Sequence, residues 1–173
     1  EEQLSDYHQE FFTRLLRMAI SRDERILHLA EKYLNFQDII SMKKRIIGTG
    51  LIGGKSLGML LAGAIIRKNK ASLAGMLEPH DSFFVGSDVF YTFVVRNSLW
   101  WIREQQKGQE AFLEDAEQAR QRMLAGIFPE NIVQKFSAML DYFGQSPIIV
   151  RSSSLLEDNY GNSFAGKYDS IFC

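Results

Sequence analysis

The chain has 173 residues, 46% hydrophobic and 24% charged, with a formal net charge of −1 and a single cysteine, Cys173. That composition fits a globular domain with a sizeable core. It gives no sign of a nucleic-acid or anionic-membrane partner, and it excludes an internal disulfide framework or a cysteine-based zinc site. No run approaches the roughly 18 apolar residues of a membrane helix, and Glu1-Glu2-Gln3 does not open a signal peptide, so the expected location is cytoplasmic.

Residues 4–20 set Leu4, Tyr7, Phe11, Leu15 and Met18 on one face of a helix. Ser21 and Glu24 have the spacing of a capping box for a second helix, with Ile26, Leu29, Ala30, Tyr33 and Leu34 turned inward. This helical lead-in, residues 1–45, carries no visible chemistry, and His8 and His28 read as packing or surface residues. The character then changes. Arg45-Ile46-Ile47 predicts a short strand, 48–54 a flexible turn, and Leu57, Leu60, Leu61, Ala64 and Ile65 a helix.

Ser82-Phe83-Phe84-Val85 predicts another strand, and Ser87 is a candidate cap for a helix carrying Phe90, Phe93 and Val94 inward. From about 98 to 125 the chain is helical and charged, with Leu113, Ala116 and Leu124 inside and Gly126 as a stop. Pro129 opens the next helix, whose stripe is Ile132, Phe136, Met139, Leu140 and Phe143, with Gly144 and Pro147 beyond it. Ile148 to Val150 reads as a buried strand. Strands alternating with helices give the class α/β (α+β). The last residues, Ser170-Ile171-Phe172-Cys173, stop inside an apolar run, so the chain reads as cut from something longer.

Two segments carry candidate chemistry. The strand ending at Val150 delivers Arg151 and Ser152-Ser153-Ser154 into a loop rich in hydroxyls, glycine and acid, a combination suited to a polyphosphate. The other is the glycine turn. Gly48-x-Gly50-x-x-Gly53 satisfies the dinucleotide fingerprint, but no acidic residue ends a second strand about 20 residues on. Gly53-Gly54-Lys55-Ser56 is close to a P-loop, yet Thr49 stands where its first glycine would be. Lys55 sits in a first helical turn, where the macrodipole disfavours a cation by roughly 0.3–1 kcal/mol. A phosphate bridging the helix N-terminus and the ammonium would reverse that sign. The bland alternative is a solvated lysine.

The stretch Val150-Arg151-Ser152-Ser153-Ser154, then Glu157-Asp158 and Ser163-Phe164-Ala165-Gly166, resembles the signature of the phosphoenolpyruvate synthase (pyruvate, water dikinase) family. Ile52-Gly53-Gly54-Lys55-Ser56-Leu57-Gly58 resembles that family's Gly-Gly-Lys segment, and residues 83–90 the stretch that follows it. The resemblance runs from about residue 46 to 173 and implies the N-terminal part of an ATP-grasp-type nucleotide-binding domain, truncated at its C-terminus, after the lead-in. Carried onto this sequence, it implies ATP as ligand, with Gly53, Gly54, Lys55, Arg151 and Ser152 holding phosphates and Arg151 neutralising the transferring group. Ser163, Phe164, Ala165 and Gly166 would form a lid over them, while Glu157 and Asp158 read better as structural. The resemblance places the magnesium ligands, a phosphohistidine domain and a pyruvate-binding domain outside these residues. The Met-Pro-Gly-Met-rich loop of the pyruvate, phosphate dikinase branch is absent. A related dikinase or antibiotic phosphotransferase with another acceptor, and a non-catalytic nucleotide-binding module, remain open.

Overall fold

The computed structural model describes residues 2–78, 80–105, 116–154, 158–159, 162–163 and 168–173. Three helices come first: α1 (Glu2–Ala19), α2 (Glu24–Tyr33) and α3 (Phe36–Lys44). α1 buries Phe12, Leu16 and Ala19, with Ile20 just past its end, whereas Tyr7, Phe11 and Met18 of the expected face are exposed. Consecutive residues lie about 100° apart around a helix, so Phe11-Phe12 and Leu15-Leu16 make two adjacent apolar stripes. Packing against α2 selects the second stripe, and Phe11 is left to stack on Phe36.

Asp23, not Ser21, caps α2, accepting from the amides of Arg25 and Ile26. The buried Ser21 hydroxyl instead accepts from the Asp23 amide, so the expected capping box starts two residues too early. α2 buries Leu27 and Ala30, with Leu34 beyond it. The sequence reading missed α3 as a separate helix. It opens on a reciprocal box in which Asn35 accepts from the Asp38 amide and Asp38 from the Asn35 amide.

β1 (Ile46–Ile47) pairs in parallel with β2 (Phe84–Val85), Ile46 opposite Phe84 and Ile47 opposite Val85. The crossover between them contains α4 (Gly54–Asn69) and the short α5 (Ala71–Ala74). α4 buries Leu57, Leu61 and Ala64, and these join Ile52, Phe84 and the buried side chains of α1–α3 in one core.

α6 (Ser87–Arg96) follows β2 with Gly86 as its N-cap, because the Ser87 hydroxyl is engaged by the Leu51 amide. Val89 and Val94 are its buried residues, while Phe90 points to solvent. α7 (Trp100–Gln105) and α8 (Ala116–Leu124) come next; Ala119 is buried where Ala116 and Leu124 were expected, and Leu113 lies outside the described residues. α9 (Glu130–Phe143) starts one residue after Pro129 and ends at Gly144, whose φ of 59° suits glycine. Its Ile132 forms a second cluster with Ile47 and Val89, flanked by Phe128, Phe136 and Met139; Leu140 is exposed.

The C-terminal strands form two small ribbons. β3 (Ile149–Arg151) runs antiparallel to β6 (Ser170–Phe172), and β4 (Asp158–Asn159) to β5 (Asn162–Ser163). β3 is not the buried strand expected, since Ile149 and Val150 are 47% and 53% exposed. A two-stranded ribbon leaves its faces uncovered, so apolar composition alone does not bury it. Helices thus predominate, with few strands, in a pattern compatible with α/β.

Arg45 ties the start of β1 to the far end of α9. Its guanidinium lies 4.9 Å from the Phe83 ring centroid and 4.5 Å from that of Tyr142. It also donates to Asp81 at 2.6 Å and to the Tyr142 hydroxyl at 3.0 Å. Replacing it by alanine removes a cation–π pair and a partly exposed ion pair together. Arg45→Ala is expected to lower unfolding free energy by about 1–2 kcal/mol, read from denaturant midpoints at unchanged slope.

Candidate functional site

The glycine turn after β1 closes around a carboxylate. Asp88, in the first turn of α6, accepts from the Gly50 amide at 2.7 Å through one oxygen. Its other oxygen accepts from the Thr49 amide at 3.0 Å and the Thr49 hydroxyl at 3.2 Å. Gly48 has a φ of 96°, and a side chain there would run into the same carboxylate and Val89. Burial pushes the Asp88 carboxyl up, but the donations from Gly50 and Thr49 outweigh it and hold the group below the usual carboxylate range.

The next amides are engaged as well. Leu51 N–H donates to the Ser87 hydroxyl at 3.2 Å, and Ile52 N–H to the Ala19 carbonyl at the end of α1 at 3.2 Å. In a dinucleotide site the turn's amides would face a pyrophosphate; here Thr49 and Gly50 give theirs to a protein side chain. Of the three fingerprint glycines, Gly48 and Gly50 make room for Asp88.

The turn delivers Gly53 as N-cap of α4, and glycine has no side chain to cap with. The cap comes from the far end of the chain. Ser153 Oγ accepts from the Ser56 amide at 3.1 Å, and the two serine hydroxyls are also 3.1 Å apart. A Cβ on Gly53 would land on the Ser153 carbonyl, so glycine is required by close approach of the two backbones. Among the described residues, nothing accepts from the amides of Gly53 and Gly54.

The segment following β3 is therefore pinned to the N-terminus of α4. Of the residues singled out in the sequence, Gly53, Gly54 and Lys55 lie in that first turn, Lys55 half-buried. Arg151 ends β3 and is exposed, and Ser152 is half-buried beside Ser153. β4 lies against α4, and Ser163 belongs to β5, paired with Asp158. Phe164, Ala165, Gly166 and Glu157 lie outside the described residues. The sequence reading did not assign Asp88, Ser56 or Ser153. Ser56 offered one signal: an N3 amide behind a glycine N-cap needs an acceptor from elsewhere.

The arrangement can hold an anion. Two helix N-terminal amides with no acceptor among the described residues, a lysine in the same turn and an arginine two residues before Ser153 share one sign of potential. Among the described residues, no group of three or more His, Cys, Asp or Glu could hold a metal ion. A cleft of about 770 Å³ between α3 and α4, lined by Leu34, Ile39, Met42, Leu60 and Phe84, contains none of these site residues. No helix among the described residues is long and apolar enough to cross a membrane.

Residues 49–173 fit the family model for the pyruvate phosphate dikinase AMP/ATP-binding domain. No curated protein and no solved structure matches the chain. The match spans well over half of the sequence, and the chain belongs to the pyruvate phosphate dikinase and phosphoenolpyruvate synthase family as its N-terminal, nucleotide-binding domain. It is the ATP- or AMP-binding part of a dikinase-family phosphotransferase.

Two outcomes follow from this geometry. Asp88→Ala strands two turn amides and is expected to destabilise the fold by about 1–3 kcal/mol at neutral pH. Because the folded carboxyl titrates below its unfolded value of about 3.9, the Asp88 contribution is full above that pH and lost as pH falls through the folded value. The stability difference between the two proteins should therefore begin to narrow as pH falls below about 4. Gly53→Ala is expected to push Ser153 off α4, which amide exchange would read as lost protection at Ser56.

Proposed function

We propose that this nucleotide-binding domain is of the ATP-grasp type and serves a phosphoenolpyruvate synthase-like phosphotransferase. The overall conversion would be ATP, pyruvate and water to phosphoenolpyruvate, AMP and phosphate, through a phosphohistidine and a pyruvate site outside residues 1–173. The observation supporting it is the meeting of the α4 N-terminus with the segment after Arg151, held by Ser153. Residues nearly 100 positions apart converge where a phosphate chain would lie.

The roles follow from charge and geometry. ATP's phosphates would sit on the amides of Gly53 and Gly54, which have no acceptor among the described residues and present the positive end of α4. Lys55 holds the phosphate chain as a compact point charge. Arg151 supplies a planar fork able to take two phosphate oxygens and stabilise charge on the transferring group. Ser152 adds a hydroxyl donor beside it. Ser163, Phe164, Ala165 and Gly166 would close over the phosphates and exclude water, as lids do in phosphoryl transfer. Residues outside 1–173 would hold magnesium, which would supply counter-charge to the phosphates.

Isothermal titration of the full-length protein with ATP tests this reading. Lys55→Ala and Arg151→Ala are each expected to weaken binding by an order of magnitude or more, the loss of one charge-assisted contact of roughly 1.5–3 kcal/mol. Arg151→Lys should recover only part of it, because an ammonium cannot make the bidentate contact. Unchanged affinity in both alanine variants would remove this site from nucleotide binding.

A further inference from the structure

The N-terminal amides of α4 are not treated alike. Gly53 and Gly54 have no acceptor among the described residues, while the Ser56 amide, two positions beyond Gly54, is taken by Ser153 Oγ at 3.1 Å. In an ordinary cap the N-cap side chain would accept that third amide. Gly53 cannot, and its missing Cβ is what lets the Ser153 backbone cross close enough to do so. The Ser56 hydroxyl lies 3.1 Å from the same Ser153 oxygen. Ser153 lies two residues beyond Arg151, the last residue of β3. β3 itself is exposed and pairs only with β6 among the described residues, so the ribbon gives Arg151 little anchorage.

We propose that Ser153 is the positioning residue of this nucleotide site: it caps α4 from outside the helix and thereby fixes Arg151 relative to the turn carrying Lys55. The inference rests on the phosphate reading given above. Ser153 does not compete with the phosphate on this account, because it takes the Ser56 amide and not those of Gly53 and Gly54. Its effect reaches the nucleotide through the arginine.

The test combines ATP titration of the full-length protein with hydrogen exchange at the Ser56 amide in the absence of ATP. Ser153→Ala should weaken ATP by about fivefold, the scale of a lost helix cap, and speed Ser56 exchange by a similar factor. Ser153→Thr, which keeps the hydroxyl, should restore both. In an Arg151→Ala background, Ser153→Ala should cost little more, since residues acting through one another are not additive. A full additional fivefold loss there would reduce Ser153 to general packing and overturn the proposal. So would ATP binding by Ser153→Ala that equals wild type, or exceeds it as a competing hydroxyl would require. If the wild-type protein ignores ATP, the nucleotide reading fails and this role with it. Exchange at Ser56 that does not change in Ser153→Ala instead overturns the cap alone.

Discussion

Backbone amides at the start of α4 need acceptors, and the chain supplies them from several separate places. The Ile52 amide is held by the end of α1, the preceding turn by Ser87 and Asp88 of α6, and the third amide of the helix by Ser153. Each bond is modest, worth about 0.5–1.5 kcal/mol net, but an amide buried without one would cost more. The requirement locks the glycine turn to both flanking helices and to the C-terminal segment at once. Position at this point of the fold comes from hydrogen-bond accounting more than from apolar area.

The turn also shows why a fingerprint is only a spacing. Three glycines after a strand and before a helix suit any group that the backbone must approach closely. At Gly48 and Gly50 that group is the Asp88 carboxylate, and at Gly53 it is the Ser153 backbone. An internal anion satisfies the turn as a pyrophosphate would, which leaves the outer face of α4's first turn as the place where an external anion can act.

Much of this was legible in the sequence. The strand, turn and helix over 46–69, the second strand and α9 all follow from apolar period and from punctuation by glycine and proline. The family signature implies one site for the Gly-Gly-Lys turn and the Arg-Ser-Ser segment, and the structure sets Gly53 and Ser56 of the first against Ser153 beyond the second. What was missed has physical causes. Adjacent apolar stripes on α1 cannot be ranked without knowing what packs on them. An aspartate beside a serine competed for the cap of α2. The role of Asp88 depends on a partner 38 residues away, and no local pattern announces it. β3 has the composition of a buried strand, but burial depends on neighbours that composition does not name.

The family match begins at residue 49, yet nine of the fourteen described side chains in the main core, from Phe12 to Met42, come before it. Leu57, Leu61 and Ala64 of α4 rest on that earlier helical layer, as does Ile52 just ahead of the site. What is inherited as a recognisable unit and what folds as one are therefore different stretches of chain. The recognisable part supplies the chemistry, while the helices ahead of it serve as the floor on which α4 stands. Substitutions far from the proposed phosphate site, in a region with no family signature, can consequently shift α4 and with it the turn that carries Lys55.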